Sequence, residues 1–576
     1  MSSLTSTTQR RKQMYKSGMS SGTSHRQQSA VQLRKAKRQK QLSSKRVKMN
    51  PINNSSTSNT TTTATTPLTS QAIHSAVQTH VGTLRSNGSA AAHTFALKQI
   101  RKLLSEVHAH APPIGTIVSS GGVPLLIQYL TASSEEQRLE ASWSLSNIAS
   151  GTHDEAQHVL AAVPYLVGFL TGPEPALREQ SLWALGNLAG DGPEFRQILH
   201  ANGVLGPAAH VYTSTTSSTT ATTAAWALSN LAKGRATPAL PFLTAGVLAP
   251  VLSSIGDVTV ATNVQDANNK RMLLVESCWL LAHMTAKEVD AVHNILTQTG
   301  GSIVPLLCTK LMPNDEELAW PVLRSLGNIF SAGGVPPSHL TAAMSSPALI
   351  SSLLYFLSGD TRSGTSEVHN GGSGCHRSLT KEAMWLVGNI MTGTQEQQTV
   401  ADQQGLIAAV CTLIPNAPFD LRKEAAFALF NTIAHGQSER TNRVLNSFGV
   451  LETFVRMLKV PDQESVEVAL RCVEVAAACG NVSALESVGC MDALENVIYH
   501  GTSDVLKSTA SRLWDTYFED GEEEMYDDGG AKNGDGGDGS GMMSFGGAGL
   551  LGGGGGNMVG MGRGRGAVLP AWSVRQ

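Results

Sequence analysis

The sequence predicts an all-α fold in which one helical unit recurs along the chain and each unit packs on the next. The pattern Trp-x-x-x-Asn stands at residues 143–147, again 40 residues later at 183–187, and 43 residues after that at 226–230. The intervening segments are apolar at helical spacing, and strand-like runs bounded by turns are scarce. A period of about 40 to 47 residues is the signature of a helical solenoid of the armadillo or HEAT type.

Four further copies follow, an exact one at 385–389 and imperfect ones at 279–283, 324–328 and 427–431. Segments 463–480 and 502–518 are apolar at helical spacing without the pattern, and we interpret them as a ninth and a tenth repeat. Terminal repeats are expected to be atypical because they cap the stack. The prediction is therefore a right-handed superhelical solenoid of about ten armadillo repeats.

The spacing within the pattern indicates a surface. Its two side chains lie one helical turn apart on one face, so stacked repeats would align indoles and carboxamides in two ladders. An Asn amide both donates and accepts, so it can bind the N–H and C=O of an extended peptide. Neighbouring indoles would form slots for long aliphatic stems that carry a cation. The structural alternative is that each Trp is core and each Asn ends a helix.

Glycine and proline mark the helix ends between copies of the pattern. Gly246 and Gly301 are each followed four residues later by Pro, which predicts a helix end and then the first turn of the next helix. Residues 96–130 are expected to form a first repeat that lacks the Trp.

Two intervals between copies are long, 53 residues from Trp226 to Trp279 and 61 from Arg324 to Trp385. The first contains a polar excess at 260–270 and the second a Gly/Ser-rich segment at 360–378. Both segments are predicted to be surface loops between helices.

Charge divides the chain unevenly. Residues 1–50 hold 13 of the 43 Lys and Arg and no Asp or Glu, although the whole chain has a formal charge of −2. A basic arm joined to an acidic body suggests self-association or an acidic partner. On charge alone, a nucleic-acid-binding arm, a nuclear-localisation patch and a protein-binding helix fit the arm equally well.

Composition sets the domain boundaries. We predict a basic arm at 1–50, a flexible Ser/Thr/Asn-rich linker at 51–70, the solenoid at 71–518 and a tail at 519–576. The tail is acidic and then Gly-rich, so it is expected to be disordered.

The sequence contains no motif typical of several classes of function. The seven Cys are scattered without a Cys-x-x-Cys, which predicts a reduced compartment with inert thiols. No apolar run approaches the roughly 18 residues of a membrane span, and no signal-peptide core is present. No phosphate loop, nucleophile motif or metal-ligand spacing occurs, so we expect neither an enzyme nor a cofactor or metal.

The chain resembles the importin-alpha family, the adaptors that carry cargo with nuclear localisation signals. The resemblance covers residues 10–518 and is carried by the Trp-x-x-x-Asn array, the Ala-Gly-Asp-Gly at 189–192, the Pro-Pro-Ile at 112–114, and the basic runs at 33–38 and 45–46. It implies a cargo adaptor, shuttling between cytoplasm and nucleus, whose partners are importin-beta and basic localisation signals. An export receptor of the CAS type and nucleoporins are further implied partners, without membrane or direct nucleic-acid contact.

The resemblance implies a major peptide-binding site in which Asp191 pairs with the key lysine of the cargo. Such a charge-assisted bond is worth about 1.5–3 kcal/mol. Ala156 stands where the family often has Thr, which removes one hydrogen bond to that lysine. The implied site residues are Trp143, Asn147, Ser150, Gly151, Gln180, Trp183, Asn187, Asp191, Trp226, Asn230 and Glu276.

A minor peptide-binding site is implied further along the chain, and it matches the family less well. Phe427 replaces a Trp and Ala332 replaces a Gly, and Phe is a poorer surface for stacking a cation. We therefore expect a weaker site. Its implied residues are Arg324, Asn328, Glu382, Trp385, Asn389, Glu424, Phe427 and Asn431.

His283 stands where the family usually has Tyr, and a neutral hydrogen-bonding role is favoured there over a pH-sensitive contact. In the arm, the resemblance assigns importin-beta binding and self-inhibition to Arg34, Lys35, Lys37, Arg38, Lys45 and Arg46. The family's Lys-Arg-Arg is interrupted here by Val47, so self-inhibition is expected to persist in weaker form.

Two alternatives stay open. An armadillo scaffold of the catenin type would lack the basic arm and would carry basic rather than acidic groove flanks. A nucleic-acid-binding protein would act through residues 10–48, and a strong salt-dependent RNA affinity would support it. The acidic body and the Trp/Asn ladder argue against the latter.

Overall fold

The computed structural model describes residues 69–105, 112–234, 237–333, 335–358, 377–435 and 438–518. Four predicted features lie wholly or mostly outside the described residues: the basic arm, the linker, the Gly/Ser-rich loop and the tail. The predicted arm residues therefore also lie outside the described residues: Arg34, Lys35, Lys37, Arg38, Lys45 and Arg46.

Every regular element in the described residues is a helix, and the chain divides after Phe448 into two compact units. In the first unit an opening pair of helices is followed by groups of two shorter helices and one longer helix. The first eleven α-helices are α1 Ser70–Arg85, α2 Ala90–Ser105, α3 Ile114–Ser119, α4 Gly122–Gln128, α5 Glu135–Ile148, α6 His153–Gln157, α7 Val163–Leu170, α8 Pro175–Asp191, α9 Pro193–Ala201, α10 Leu205–Ser214 and α11 Ser218–Leu231.

The same order continues to the end of the first unit. Short 3-10 turns at Tyr129–Thr131, Leu160–Ala162 and Ile414–Asn416 adjoin helices. The remaining α-helices of this unit are α12 Leu240–Thr244, α13 Leu248–Gly256, α14 Val264–Thr285, α15 Val289–Thr299, α16 Ile303–Thr309, α17 Glu316–Ser331, α18 Pro337–Met344, α19 Pro347–Leu357, α20 Arg377–Ile390, α21 Gln395–Gln403, α22 Leu406–Leu413, α23 Phe419–His435 and α24 Ser438–Leu445.

The last helix of each group carries the Trp-x-x-x-Asn positions, and we call α2, α5, α8, α11, α14, α17, α20 and α23 the ladder helices. Each ladder helix packs directly against the next one. The residue midway between the Trp and Asn positions is buried in all seven copies, since it faces the core that neighbouring repeats share. These residues are Leu145, Leu185, Leu228, Leu281, Leu326, Val387 and Leu429. The predicted all-α solenoid is confirmed.

The described residues of the second unit form five helices, none of which carries the Trp-x-x-x-Asn pattern. Its two longer helices pack on each other, and the Glu474 carboxylate lies 2.9 Å from the Arg512 guanidinium between them. Its helices are α25 Val450–Leu458, α26 Gln463–Ala478, α27 Val482–Ser487, α28 Cys490–His500 and α29 Asp504–Tyr517.

The glycine and proline signals place helix ends correctly. Gly246 and Gly301 adopt left-handed φ angles of 78° and 79°, and Pro250 and Pro305 lie in the first turns of α13 and α16. The expected first repeat at 96–130 is wrong. Residue 105 ends the ladder helix of the first repeat, and α3 and α4 precede the ladder helix that carries Trp143.

The predicted polar loop at 260–270 is only partly a loop. Helix α14 begins at Val264, and the Asn263 side chain accepts a hydrogen bond from the Asp266 N–H at 2.9 Å. An Asn cap with Asp in the first turn stabilises a helix start, so local capping outweighs the polar composition that suggested a loop.

No single helix in the described part of the chain is long and apolar enough to cross a membrane. The pair α18 and α19, bent by 68° at the break between them, meets that test only when both helices are taken together, and by length and composition alone.

The described cysteines are free thiols, and most of them are buried. Burial raises the pKa of Cys278, Cys308 and Cys490 to about 12, because the thiolate loses its hydration. These thiols stay protonated at neutral pH and are therefore poor nucleophiles. Cys375 lies outside the described residues.

The contact between neighbouring ladder helices can be tested at Gly186. A Cβ there would lie 2.5 Å from Cζ3 of Trp226, so Gly186→Ala should force the two helices apart and destabilise the protein by about 1–3 kcal/mol. Gly168→Ala in α7 is the matched control, because nothing lies within 4 Å of the added methyl. Urea unfolding would measure both, and equal midpoints would contradict the packing described here.

Candidate functional site

The ladder asparagines join consecutive ladder helices. The Asn187 carboxamide donates to the Ser146 carbonyl at 2.9 Å, and that of Asn230 donates to the Gly186 carbonyl at 2.9 Å. Asn389 and Asn431 do the same with the Gly327 and Gly388 carbonyls. In each case the acceptor is the residue just before the ladder Asn of the preceding repeat. The carboxamide therefore has a structural role, which the sequence argument for a ligand-binding ladder did not foresee.

Two ladder asparagines use side-chain acceptors as well as or instead of a carbonyl. Asn147 donates to the Ser105 hydroxyl at 2.7 Å, and Asn328 donates to the Ala282 carbonyl at 3.1 Å and the Thr285 hydroxyl at 3.2 Å. The Asn187 side-chain oxygen is buried without a hydrogen-bond partner in the described part of the chain.

The aromatic ladder lies deeper than a ligand-stacking surface requires. The side chains of Trp143, Trp183, Trp226 and Trp385 are 2–7% exposed, whereas Trp279 is half-buried. The Trp183 and Trp226 rings are in direct contact, with centroids 5.0 Å apart. A methylene stem between two rings needs about 7–8 Å, so the slot predicted between these indoles is closed in this conformation.

Two ladder positions are occupied by arginines that stack on the next indole. The Arg101 guanidinium lies 4.7 Å from the Trp143 ring centroid and pairs with Glu140. Arg324 lies 5.2 Å from the Trp385 centroid and pairs with Glu382. These contacts show that the indole faces of this fold accept a cation.

The carboxylates of the implied sites differ in their surroundings. Glu382 is fully buried against Arg324, and Glu424 lies 3.4 Å from the Lys381 ammonium. Asp191 is the last residue of α8, and its Oδ2 lies 3.6 Å from Nδ1 of His153. Gln180 and Glu276 are each 7% exposed, and the Ser146 hydroxyl reaches the Gln180 side-chain oxygen at 3.5 Å.

Ser150 and Gly151 are closely packed just before the start of α6. Ser150 donates to the Asn147 carbonyl at 2.6 Å, and a side chain on Gly151 would meet the Glu155 carboxylate and Ile114. Farther along, the His283 ring stacks on Trp279 at 5.8 Å.

A cavity of about 210 Å³ opens beside Asn389, at the implied minor site. No described residue that lines it is charged. Gly393 stands four residues after Asn389, where Asp191 stands four residues after Asn187, so this cavity lacks the equivalent carboxylate. Its lining residues are Phe330, Ala332, Val335, Pro337, Leu340, Asn389, Thr392, Gly393, Thr394 and Gln397. Phe427 and Asn431 lie in α23 and are 7% and 5% exposed.

Sequence reasoning missed five contributors to this surface. Arg101 and Ser105 repeat the spacing of Trp and Asn, so a stricter alignment of the first repeat would have found Arg101. Glu140 precedes Trp143 by three residues, the same spacing that singled out Gln180. His153 and Trp320 gave no sequence signal, because tertiary packing alone brings them beside Asp191 and Trp279.

Known proteins share this architecture. An armadillo/beta-catenin-like repeat profile matches residues 110–150, and a HEAT-like repeat profile matches residues 135–188. A crystal structure of an engineered protein superposes with a TM-score of 0.61 at 24% identity, over 76% of this chain and 98% of that one, which supports the fold alone. The molecule is an armadillo-repeat solenoid protein.

Relatives that align over most of their length identify the family within this class. Importin subunit alpha-2 of Oryza sativa subsp. japonica is 31% identical over 86% of this chain and 92% of its own length. Importin subunit alpha-9 of Arabidopsis thaliana is 28% identical over 78% of this chain and 83% of its own length. The chain belongs to the importin-alpha family.

The structural role of the ladder carboxamides predicts a stability effect. Asn389→Asp removes the donor to the Gly327 carbonyl and places a carboxylate against it, which should cost about 1–3 kcal/mol. Asn294→Asp, at an exposed position, should change stability by less than about 0.5 kcal/mol. Urea unfolding at pH 7.5 compares the two, and an equally small loss in both would refute a structural role for Asn389.

Proposed function

We propose that this chain is a nuclear import adaptor, a binding protein rather than an enzyme, which shuttles between cytoplasm and nucleus. It binds Lys/Arg-rich localisation signals along the ladder helices and is linked to importin-beta through its basic arm. An export receptor of the CAS type and nucleoporins complete the set of proposed partners. Membership in the importin-alpha family supports the adaptor role.

The observation that carries the peptide-binding part is the Asp191 carboxylate. It is 10% exposed at the end of α8, one turn beyond Asn187, and its Oδ2 lies 3.6 Å from Nδ1 of His153. A ligand ammonium that reaches this partly desolvated carboxylate gains a charge-assisted hydrogen bond. Asp191 is therefore the proposed anchor for the key lysine of the cargo.

The ladder carboxamides are proposed to form hydrogen bonds with the peptide backbone. At Asn187, Asn389 and Asn431 the hydrogen bond to the preceding ladder helix uses one of the two NH₂ donors. At Asn187 the buried side-chain oxygen also remains as an acceptor within the described residues. A donor and an acceptor on one side chain match the C=O and N–H of an extended segment, so binding would not depend on the ligand side chains at those positions.

The indoles supply the proposed stacking surfaces. The stacking of Arg101 on Trp143 and of Arg324 on Trp385 is an internal precedent for a ligand cation on these rings. Between Trp183 and Trp226 the rings must separate to admit a ligand stem, so cargo binding is expected to alter tryptophan fluorescence.

The minor site is proposed to bind less tightly than the major one. Glu382 and Glu424 are already paired with Arg324 and Lys381, so a ligand cation would compete with an internal one. The adjacent cavity has no carboxylate in the position that corresponds to Asp191.

Substitution at Asp191 tests the peptide-binding proposal. With the full chain and a fluorescent Lys-Lys-Lys-Arg-Lys peptide, Asp191→Lys should weaken binding at least about 10- to 100-fold, because a charge-assisted bond is replaced by repulsion. Fluorescence anisotropy gives the Kd.

Glu495→Lys is the matched control, since it makes the same charge change at an exposed position of α28. Unchanged affinity is expected in the control. If the wild-type chain fails to bind the peptide, or if both variants lose affinity equally, the proposed site is wrong.

The arm is proposed to act as a competing basic ligand for the same surface. A linker of roughly 20 residues gives the tethered arm an effective concentration of order mM. Neutralising its basic end with Lys45→Ala and Arg46→Ala should therefore tighten peptide binding several-fold in the full chain. The same anisotropy titration measures the change, and an unchanged Kd would argue against self-inhibition while leaving cargo binding at Asp191 intact.

A further inference from the structure

An imidazole sits at the edge of the proposed lysine pocket. Nδ1 of His153 lies 3.6 Å from the Asp191 carboxylate, and the histidine side chain is 54% exposed while the aspartate is 10% exposed. A ligand cation bound to the Asp191 carboxylate would therefore lie close to His153.

Two neighbouring elements hold the imidazole in place. His153 is the first residue of α6, whose start is fixed by a capping box between Thr152 and Glu155. On its other side the ring packs against Phe195 of α9, with centroids 4.6 Å apart. The position of His153 therefore follows from the fold rather than from a free surface rotamer.

The charges around this histidine are mainly acidic. Asp191 faces it from α8, and Glu194 of α9 and His153 both come within 4.0 Å of the point where a side chain on Gly192 would begin. Its own helix contributes Asp154 and Glu155. The basic group on α9, Arg196, donates to the Ala189 carbonyl at the end of α8.

The position of Asp191 at the end of a helix favours a cation near its carboxylate. A carboxylate at a helix C-terminus faces the negative end of the helix dipole, which disfavours it unless a positive charge is near. A ligand lysine or a protonated His153 can supply such a charge. Histidine is the side chain whose charge ordinarily changes between pH 5 and 8.

We propose that His153 is a specificity-determining residue of the Asp191 pocket that makes the binding of basic ligands pH-dependent. This inference rests on the proposed function of Asp191. When neutral, the imidazole leaves the carboxylate to the ligand ammonium or guanidinium. When protonated, it pairs with Asp191 and repels the incoming cation, so affinity falls as the pH is lowered.

The test uses the full chain carrying Lys45→Ala and Arg46→Ala, since an arm that bound the same carboxylate would respond to pH in parallel and mask the effect. The Kd of the Lys-Lys-Lys-Arg-Lys peptide is measured at pH 7.5 and at pH 5.5. We expect about two- to fivefold weaker binding at the lower pH, the range of a partly exposed ion pair.

Four variants assign the effect to a residue. His153→Gln should bind equally at both pH values, and His153→Lys should bind weakly at both, because its charge is permanent. His158→Gln and His283→Gln are controls at an exposed position near α6 and at the ladder, and both should retain the pH dependence. Circular dichroism verifies that each variant is folded.

The outcomes separate the two proposals. If His153→Gln keeps the full pH dependence, or if His283→Gln abolishes it, the role of His153 is overturned while Asp191 remains the cargo anchor. If the peptide binds with equal affinity to the Asp191→Lys variant, the proposed function itself fails and the inference fails with it.

Discussion

The hydrogen bond from each ladder carboxamide to the preceding ladder helix is the contact on which this architecture depends. A repeat of two or three helices cannot bury its own apolar face, so its stability comes from docking on its neighbours. A backbone carbonyl has two lone pairs, and the helical hydrogen bond uses one of them. The ladder Asn takes the second, at Ser146, Gly186, Gly327 and Gly388. One residue type thereby fixes the register of successive repeats.

The same packing restricts the residue before a ladder Asn wherever an indole of the next repeat lies over it. Trp226 lies over Gly186 and Trp385 lies over Gly327, and a Cβ at either glycine would collide with the ring. Both indoles are close to fully buried. A surface that is proposed to bind ligands is thus made from the groups that hold the stack together, and the ligand would use only the donors, acceptors and ring faces that packing does not consume.

Charge distinguishes the two ends of this surface more than shape does. Arg101 and Arg324 occupy ladder positions, stack on the next indole and neutralise a glutamate three residues before it. At the implied minor site Lys381 in addition lies beside Glu424. At Asp191 the neighbouring side chain is the His153 imidazole. A surface of nearly uniform repeats can therefore hold sites of unequal strength.

The sequence by itself determined the helical class, the repeat period, the ladder positions and the family, because period and side-chain spacing on a helix are local properties. The resemblance to the importin-alpha family also singled out Asp191. The Arg101–Ser105 spacing was available in the sequence to place residues 96–105 in the correct repeat, whereas the start of α14 depends on the Asn263 cap and on neighbouring helices.

Tertiary structure alone decided how the ladder groups are used. Whether a carboxamide is free or bonded to Gly186, whether a slot between Trp183 and Trp226 is open, and whether His153 reaches Asp191 are matters of packing between segments tens of residues apart. Spacing along one helix carries no information about such contacts, because they are set by how closely neighbouring helices approach one another.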